Sequence, residues 1–183
     1  MKIYLIRHGE TASNKAKRIM GQRINEPLNE EGLKQAQELT NKMKEYDYDL
    51  IFSSPQKRAM QTAEAINKNG MIPILQRDEL KERDFGTLSG KSWEEMDIEM
   101  KCEPGTMRQR DFDQEYDYSL CEGEKVEDVK KRFLKFIDEL KNNFSDKKVV
   151  IVAHGGILRV SHFLLSNEKV GHIDNAAIIE YEI

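Results

Sequence analysis

The chain has 183 residues, of which 38% are hydrophobic and 34% charged, with a net charge of −4. That balance suits one globular domain around a single core and lacks the basic surplus usual in a nucleic-acid-binding protein. The most apolar stretch, 149–158, is about half the ~20 residues of a spanning helix and is interrupted by His154 and two glycines, so no membrane span is expected. No apolar leader is visible at the N-terminus and the two cysteines can pair only once, which points to a cytoplasmic chain with reduced thiols.

In chain order, the apolar run Ile3-Tyr4-Leu5-Ile6 predicts a buried strand over 2–7 that ends in Arg7-His8-Gly9-Glu10. Asn29 is a suitable cap for a helix whose inner face carries Leu33, Ala36, Leu39 and Met43. A second strand is expected at 49–53. Ser54-Pro55 then reads as the opening of a second helix, with a hydroxyl at the cap and proline in the first turn. A third strand falls at 73–76. From about 87 to 122 the periodicity fades: 94–117 holds nine acidic residues against Lys101, Arg108 and Arg110, with methionines and aromatic residues interspersed. A long excursion of that kind is either a functional lid or a mobile surface loop, and a cap over the strand ends is the favoured reading. Val126, Val129, Phe133, Phe136, Ile137 and Leu140 mark a third helix. A strand at 148–153 leads into Ala153-His154-Gly155-Gly156, after which Ile157, Val160, Leu164 and Leu165 mark a fourth helix and 177–181 a last strand. Alternating short β-type and longer helical runs predict an α/β fold: a three-layer α/β/α sandwich with a mostly parallel central sheet. The chain reads as one domain, 1–183, with a cap insertion at about 87–122.

Two histidines, His8 and His154, each follow an apolar strand and precede glycine, which carries both imidazoles to the sheet edge where open α/β sheets bind ligands. Joined by Arg7, Arg58 and Glu82, they suit transfer of a phosphoryl group through a histidine. A neutral imidazole keeps a lone pair for attack on phosphorus, and nearby cations disfavour the imidazolium. The planar fork of arginine matches two phosphate oxygens. Glu82 by itself, inside the charged run 78–84, reads more readily as a surface glutamate than as a site residue.

The ordered series of short motifs resembles the histidine phosphatase superfamily, also called the phosphoglycerate mutase-like family. It begins with Arg7-His8-Gly9-Glu10-Thr11 and Asn14, then Gly21-Gln22, Pro27-Leu28-Asn29, Gly32 and Gln35-Ala36. Ser53-Ser54-Pro55, Arg58-Ala59, Gln61-Thr62-Ala63, Leu80, Glu82-Arg83, Phe85-Gly86 and Gly90 follow. Gly123-Glu124, Asp128, Arg132, His154-Gly155-Gly156 and Arg159 complete it. The resemblance implies that His8 is the nucleophile that becomes phosphohistidine. It implies that Arg7, Arg58 and His154 hold the phosphoryl oxygens and that Glu82 is the proton donor, protonated when transfer begins. Asn14 and the Gly155 N–H would add phosphate contacts, and Gly21, Gln22 and Arg83 would touch the rest of the substrate. The family needs no metal, and no cofactor is expected. Two positions depart from its usual pattern, Ser89 where many members have glutamate and Lys125 where many have serine.

The expected partner is a small-molecule phosphate ester, with no nucleic acid and no membrane, and the last strand leaves a homodimer open. The expected function is a metal-independent phosphomonoesterase. The alternatives are a cofactor-dependent phosphoglycerate mutase, or a protein-directed phosphatase or phospho-binding module. Only about forty residues separate Glu82 from Gly123 and they are net acidic, which weighs against the mutase. His162 and His172 read as packing or exposed residues, Cys102 and Cys121 as non-catalytic, and Arg18 and Arg23 equally as anion contacts or surface charge.

Overall fold

Adjacent parallel strands β1 (Lys2–Arg7) and β4 (Lys148–Ala153) pair in a register that sets Arg7 opposite Ala153, so the next residues, His8 and His154, leave the sheet abreast. The structure is a computed structural model and describes residues 1–67 and 70–183. β2 (Leu50–Ser53) lies beside β4 and β3 (Ile74–Gln76) beside β2, both parallel, while β5 (Ile178–Glu182) runs antiparallel against β1. The sheet order is β3-β2-β4-β1-β5. The fold is the expected α/β sandwich with a mostly parallel sheet; β2 and β3 begin one residue later than expected and β5 is shifted by one residue at both ends.

Successive strand residues face opposite layers. Val149, Ile151 and Ala153 of β4 pack with Ile3 and Leu5 against α6 (Val126–Asn143) and α7 (Gly155–Ser166). Val150 and Val152 pack with Tyr4 and Ile6 against α2 (Glu30–Met43) and α3 (Lys57–Ile66). Burial on both faces explains the unbroken apolar run of β4. A one-turn helix, α1 (Ala12–Lys15), follows the first histidine, with Thr11 accepting from the Asn14 N–H at its cap.

Asn29 caps α2 as expected, accepting from the Gly32 N–H at 2.8 Å. The inner face, however, is Gly32, Ala36, Leu39 and Met43, and Leu33 is exposed. Gly32 is there because α2 abuts the loop after His8, where a Cβ would stand 2.0 Å from the Glu10 carbonyl. The Ser54-Pro55 expectation is corrected: α3 begins at Lys57 with Gln56 at its cap, and the Ser54 hydroxyl accepts from the Gln56 N–H at 3.3 Å, ahead of the helix, and also meets His154. The segment 87–122 is also more ordered than its periodicity suggests. It holds α4 (Trp93–Glu99) and α5 (Thr106–Asp113), the first begun by a Ser92/Glu95 capping box. Buried Asp97 accepts from the N–H groups of Gly105 and Met107, tying the two together. Met96, Met107, Tyr116 and Tyr118 join the same core as Phe85 and Phe133, so this segment is packed into the domain.

Candidate active site

A cleft of about 510 Å³ opens at the carboxyl ends of β1 and β4. His8 lines it while only 2% exposed. Its Nδ1 lies 2.6 Å from the Gly9 carbonyl oxygen, which can only accept. The proton is therefore on Nδ1, and Nε2 keeps the lone pair a nucleophile needs. Burial first, then His154, Arg58 and Arg7, push the His8 pKa well below its ordinary value, so the ring is neutral. The surrounding loop is fixed by Thr62, whose hydroxyl accepts from the Gly9 N–H at 3.1 Å, and by Asn175, whose amide donates to the His8 carbonyl at 2.9 Å.

Arg58 is fully buried at the base of the cleft. It donates to the carbonyls of Ile24 and Gly21 at 2.9 and 3.0 Å, and through Nε to Nδ1 of His154 at 3.1 Å. An imidazole nitrogen that accepts carries no proton, so Nε2 of His154 bears it and donates to the Ser54 hydroxyl at 2.8 Å. Burial, Arg58, Arg132 and Arg7 keep His154 neutral. With both nitrogens engaged, His154 stands behind Arg58 and does not itself line the cleft. Arg7 lines it, with one terminal nitrogen bonded to the Ile173 carbonyl. Burial lowers the pKa values of Arg7 and Arg58 to about 10, which leaves both charged at neutral pH.

Glu82 sits at the N-terminus of α7. Its carboxylate accepts from the N–H groups of Gly156 at 2.9 Å, Ile157 at 3.1 Å and Arg83 at 2.9 Å. Burial works to raise its pKa, but Arg83, the backbone donors of Gly156 and Arg83, and Arg159 outweigh it and hold the carboxyl at about 2. Glu82 by itself is thus a carboxylate; the expected protonated form belongs to the start of transfer, when a phosphate dianion beside it would raise its pKa. Gly156 is required at this place, since a Cβ would stand 2.4 Å from both Glu82 Oε1 and an Arg83 nitrogen.

Of the other expected contacts, Asn14, Gly21, Arg83 and Gly155 line the cleft. Gly21 has φ +56°, which suits glycine, and its carbonyl also accepts from Gln56 Nε2 at 3.0 Å. Gln22 is not brought to the cleft; its amide donates to Glu124 at 3.1 Å. Arg23 is spent on Asp84 and Glu122, whereas Arg18 pairs with Glu95 at the cleft's rim. His172 is exposed, as expected, yet reaches the rim too. His162 meets the Tyr181 hydroxyl, and Cys102 and Cys121 are free thiols.

Several residues of the site carried no local signal. Gln56 bridges the Gly21 carbonyl and the Glu82 N–H. Arg159, visible only as a motif residue, lines the cleft beside Asp111 and Phe112 of α5. The buried guanidinium groups of Arg7, Arg58, Arg83 and Arg159 face the carboxylates of Glu82 and Asp111, leaving a surplus of two positive charges. That surplus is equal and opposite to the charge of a phosphate-ester dianion. Among the described residues no group of three or more His, Cys, Asp or Glu is placed to hold a metal ion, and no helix is long and apolar enough to cross a membrane.

Residues 3–183 match the model of the histidine phosphatase superfamily (branch 1). An uncharacterized phosphatase, PhoE, of Bacillus subtilis (strain 168) is 34% identical over 169 residues, covering 92% of this chain and 78% of that protein. A metal-independent phosphoserine phosphatase of Arabidopsis thaliana is 33% identical over 181 residues, covering 97% and 74% respectively. Among solved structures, a mycobacterial glucosyl-3-phosphoglycerate phosphatase complexed with VO3 superposes with a TM-score of 0.85 at 26% identity, covering 98% of this chain and 91% of that one.

Proposed function

We propose the residue roles by which this chain, which belongs to the histidine phosphatase superfamily, acts as a metal-independent phosphomonoesterase through a phosphohistidine. His8 is the nucleophile. The observation that carries this is its neutral ring, with Nδ1 tied to a carbonyl and Nε2 free, at the wall of a cleft where four buried guanidinium groups face two carboxylates. Nε2 attacks phosphorus, the P–O bond to the leaving group breaks, and the leaving alkoxide takes a proton from Glu82. Water then attacks the phosphohistidine, the P–N bond breaks, and Glu82 accepts the proton that water gives up. Arg7, Arg58, Arg83 and Arg159 balance charge on the phosphoryl oxygens. His154 and Ser54 hold Arg58 in place, and Gly155 offers an N–H at the start of α7.

Glu82 starts as a carboxylate, so it must gain a proton once the substrate dianion lies beside it and raises its pKa. In this reading the substrate itself arms the acid. The insertion 87–122 acts as a cap: Trp93, Arg108, Asp111 and Phe112 line the side of the cleft where the organic part of the ester would lie. The decisive test is hydrolysis of p-nitrophenyl phosphate in EDTA, comparing wild type with His8→Ala. Turnover by wild type and its loss in the variant are expected. Efficient interconversion of 3- and 2-phosphoglycerate without phosphate release would overturn the hydrolytic reading.

A further inference from the structure

Nine acidic residues in 94–117 make the insertion look like a solvated acidic surface. Two of them are buried: Asp97, which ties α4 to α5, and Asp111. Asp111 is 0% exposed and reaches from α5 across the cleft wall to two guanidinium groups. Its Oδ1 is 2.5 Å from Arg83, and its Oδ2 accepts from Arg159 of α7. The two arginines are otherwise held by aromatic faces: Arg83 lies 4.7 Å over Phe85 and 5.0 Å over Tyr116, and Arg159 lies 5.1 Å over Phe112. Nε of each finds no hydrogen-bond partner among the described residues, although both side chains are buried and line the cleft. Gln114, at the end of α5, donates to the Arg159 carbonyl at 3.0 Å and fixes the same junction.

We propose that Asp111 is a positioning residue of the phosphatase reaction: by bridging Arg83 and Arg159 it aims both guanidinium groups at the cleft and trims the buried charge to balance that of one phosphate-ester dianion. This rests on the phosphatase reading above. The need for trimming follows from the leaving step. A third surplus positive charge would bind the substrate dianion more tightly, but would equally retain the phosphate product and hold Glu82 ionised. Glu82 is faced by Arg83, by Arg159 and the Gly156 and Ile157 N–H groups of α7, by Arg7 of β1, by Arg58 of α3 and by Tyr116 of the insertion. Asp111 is the carboxylate that shares the field of the first two.

The test is the affinity for inorganic phosphate, read by calorimetry without turnover, in Asp111→Asn, Arg159→Gln and the double variant. Asp111→Asn is expected to bind phosphate about tenfold more tightly, Arg159→Gln about tenfold more weakly, and the double variant close to wild type. In Asp111→Asn the alkaline limb of the kcat profile should also move to lower pH, because Arg83 and Arg159 then act on Glu82 alone. A residue that merely holds α5 in place would move neither reading in that direction. Weaker or unchanged phosphate binding in Asp111→Asn would overturn the proposal. If that variant does not fold, the double variant decides against Arg159→Gln: it must bind phosphate more tightly, and equal or weaker binding overturns the proposal. An inactive wild type would sink the phosphatase reading, while the phosphate affinities would still decide this one.

Discussion

Replacing Glu82 by glutamine removes one charge and changes little in volume, and the structure says what that costs. Three backbone N–H groups point at the carboxylate, two of them on α7. An amide can accept with its oxygen only, so its NH2 must face at least one of those donors. The carboxyl pKa falls from 4.5 in the unfolded chain to about 2 in the fold. By linkage that depression is worth roughly 3 kcal/mol at pH 7; water in the cleft screens part of it, leaving an expected loss of about 2 to 3 kcal/mol in Glu82→Gln. The sign follows from the lowered pKa. The contribution is present above pH 4.5 and is lost as pH falls toward 2, so at pH 3 the difference between wild type and variant should shrink to about 1 kcal/mol. Urea unfolding of both proteins at pH 7, 4.5 and 3 measures it, since every other titrating group is common to the pair. A difference that stays constant from pH 7 to pH 3 would refute the reasoning. In turnover, the same variant should lose about 100-fold or more in kcat on an alkyl phosphate and much less on p-nitrophenyl phosphate, whose leaving group needs little protonation.

Three further outcomes are expected. Ser54→Ala leaves the Nε2–H of His154 without its acceptor; it should cost about 1 to 2 kcal/mol in chemical denaturation and lower kcat about tenfold as Arg58 loses its fixed support. Thr62→Val strips the Gly9 N–H of its partner and should destabilise by about 1 to 2 kcal/mol, with a raised KM for p-nitrophenyl phosphate; an unchanged KM would count against its part in placing the His8 loop. His8 and His154 both titrate well below 6.5 in the fold, so NMR should show neutral rings at pH 6. Because the unfolded chain takes up those protons first, stability should decline as pH drops below about 6.5, and His8→Ala should lessen that decline.

Much of the fold was legible because strand burial leaves a local mark. The β4 run Val149–Val152 is apolar at every position since both faces are covered, and the faces of α6 and α2 follow helical spacing, with Leu33 the exception. Gly32, which carries no side chain to signal burial, took its place. The order in 87–122 escaped because its burial is irregular: Met96, Asp97, Met107 and Asp111 are buried on two short helices whose spacing has no sustained period. Ser54 read as a helix cap because a hydroxyl before proline has that meaning locally; its role toward His154 needs a residue a hundred positions away.

The sequence by itself determined the sheet, its main helices, and the pair of His-Gly corners with their arginines, because each is written in neighbouring residues as apolar period, glycine or charge type. Only the tertiary structure decided how those groups are ionised and joined. Whether Glu82 is acid or carboxylate depends on three N–H groups and two guanidinium groups drawn from separate elements. Whether an aspartate in an acidic stretch is surface or counter-ion depends on which arginines the packing places against it. Charge type is a property of a residue, but proton affinity and partnership are properties of the space it is folded into.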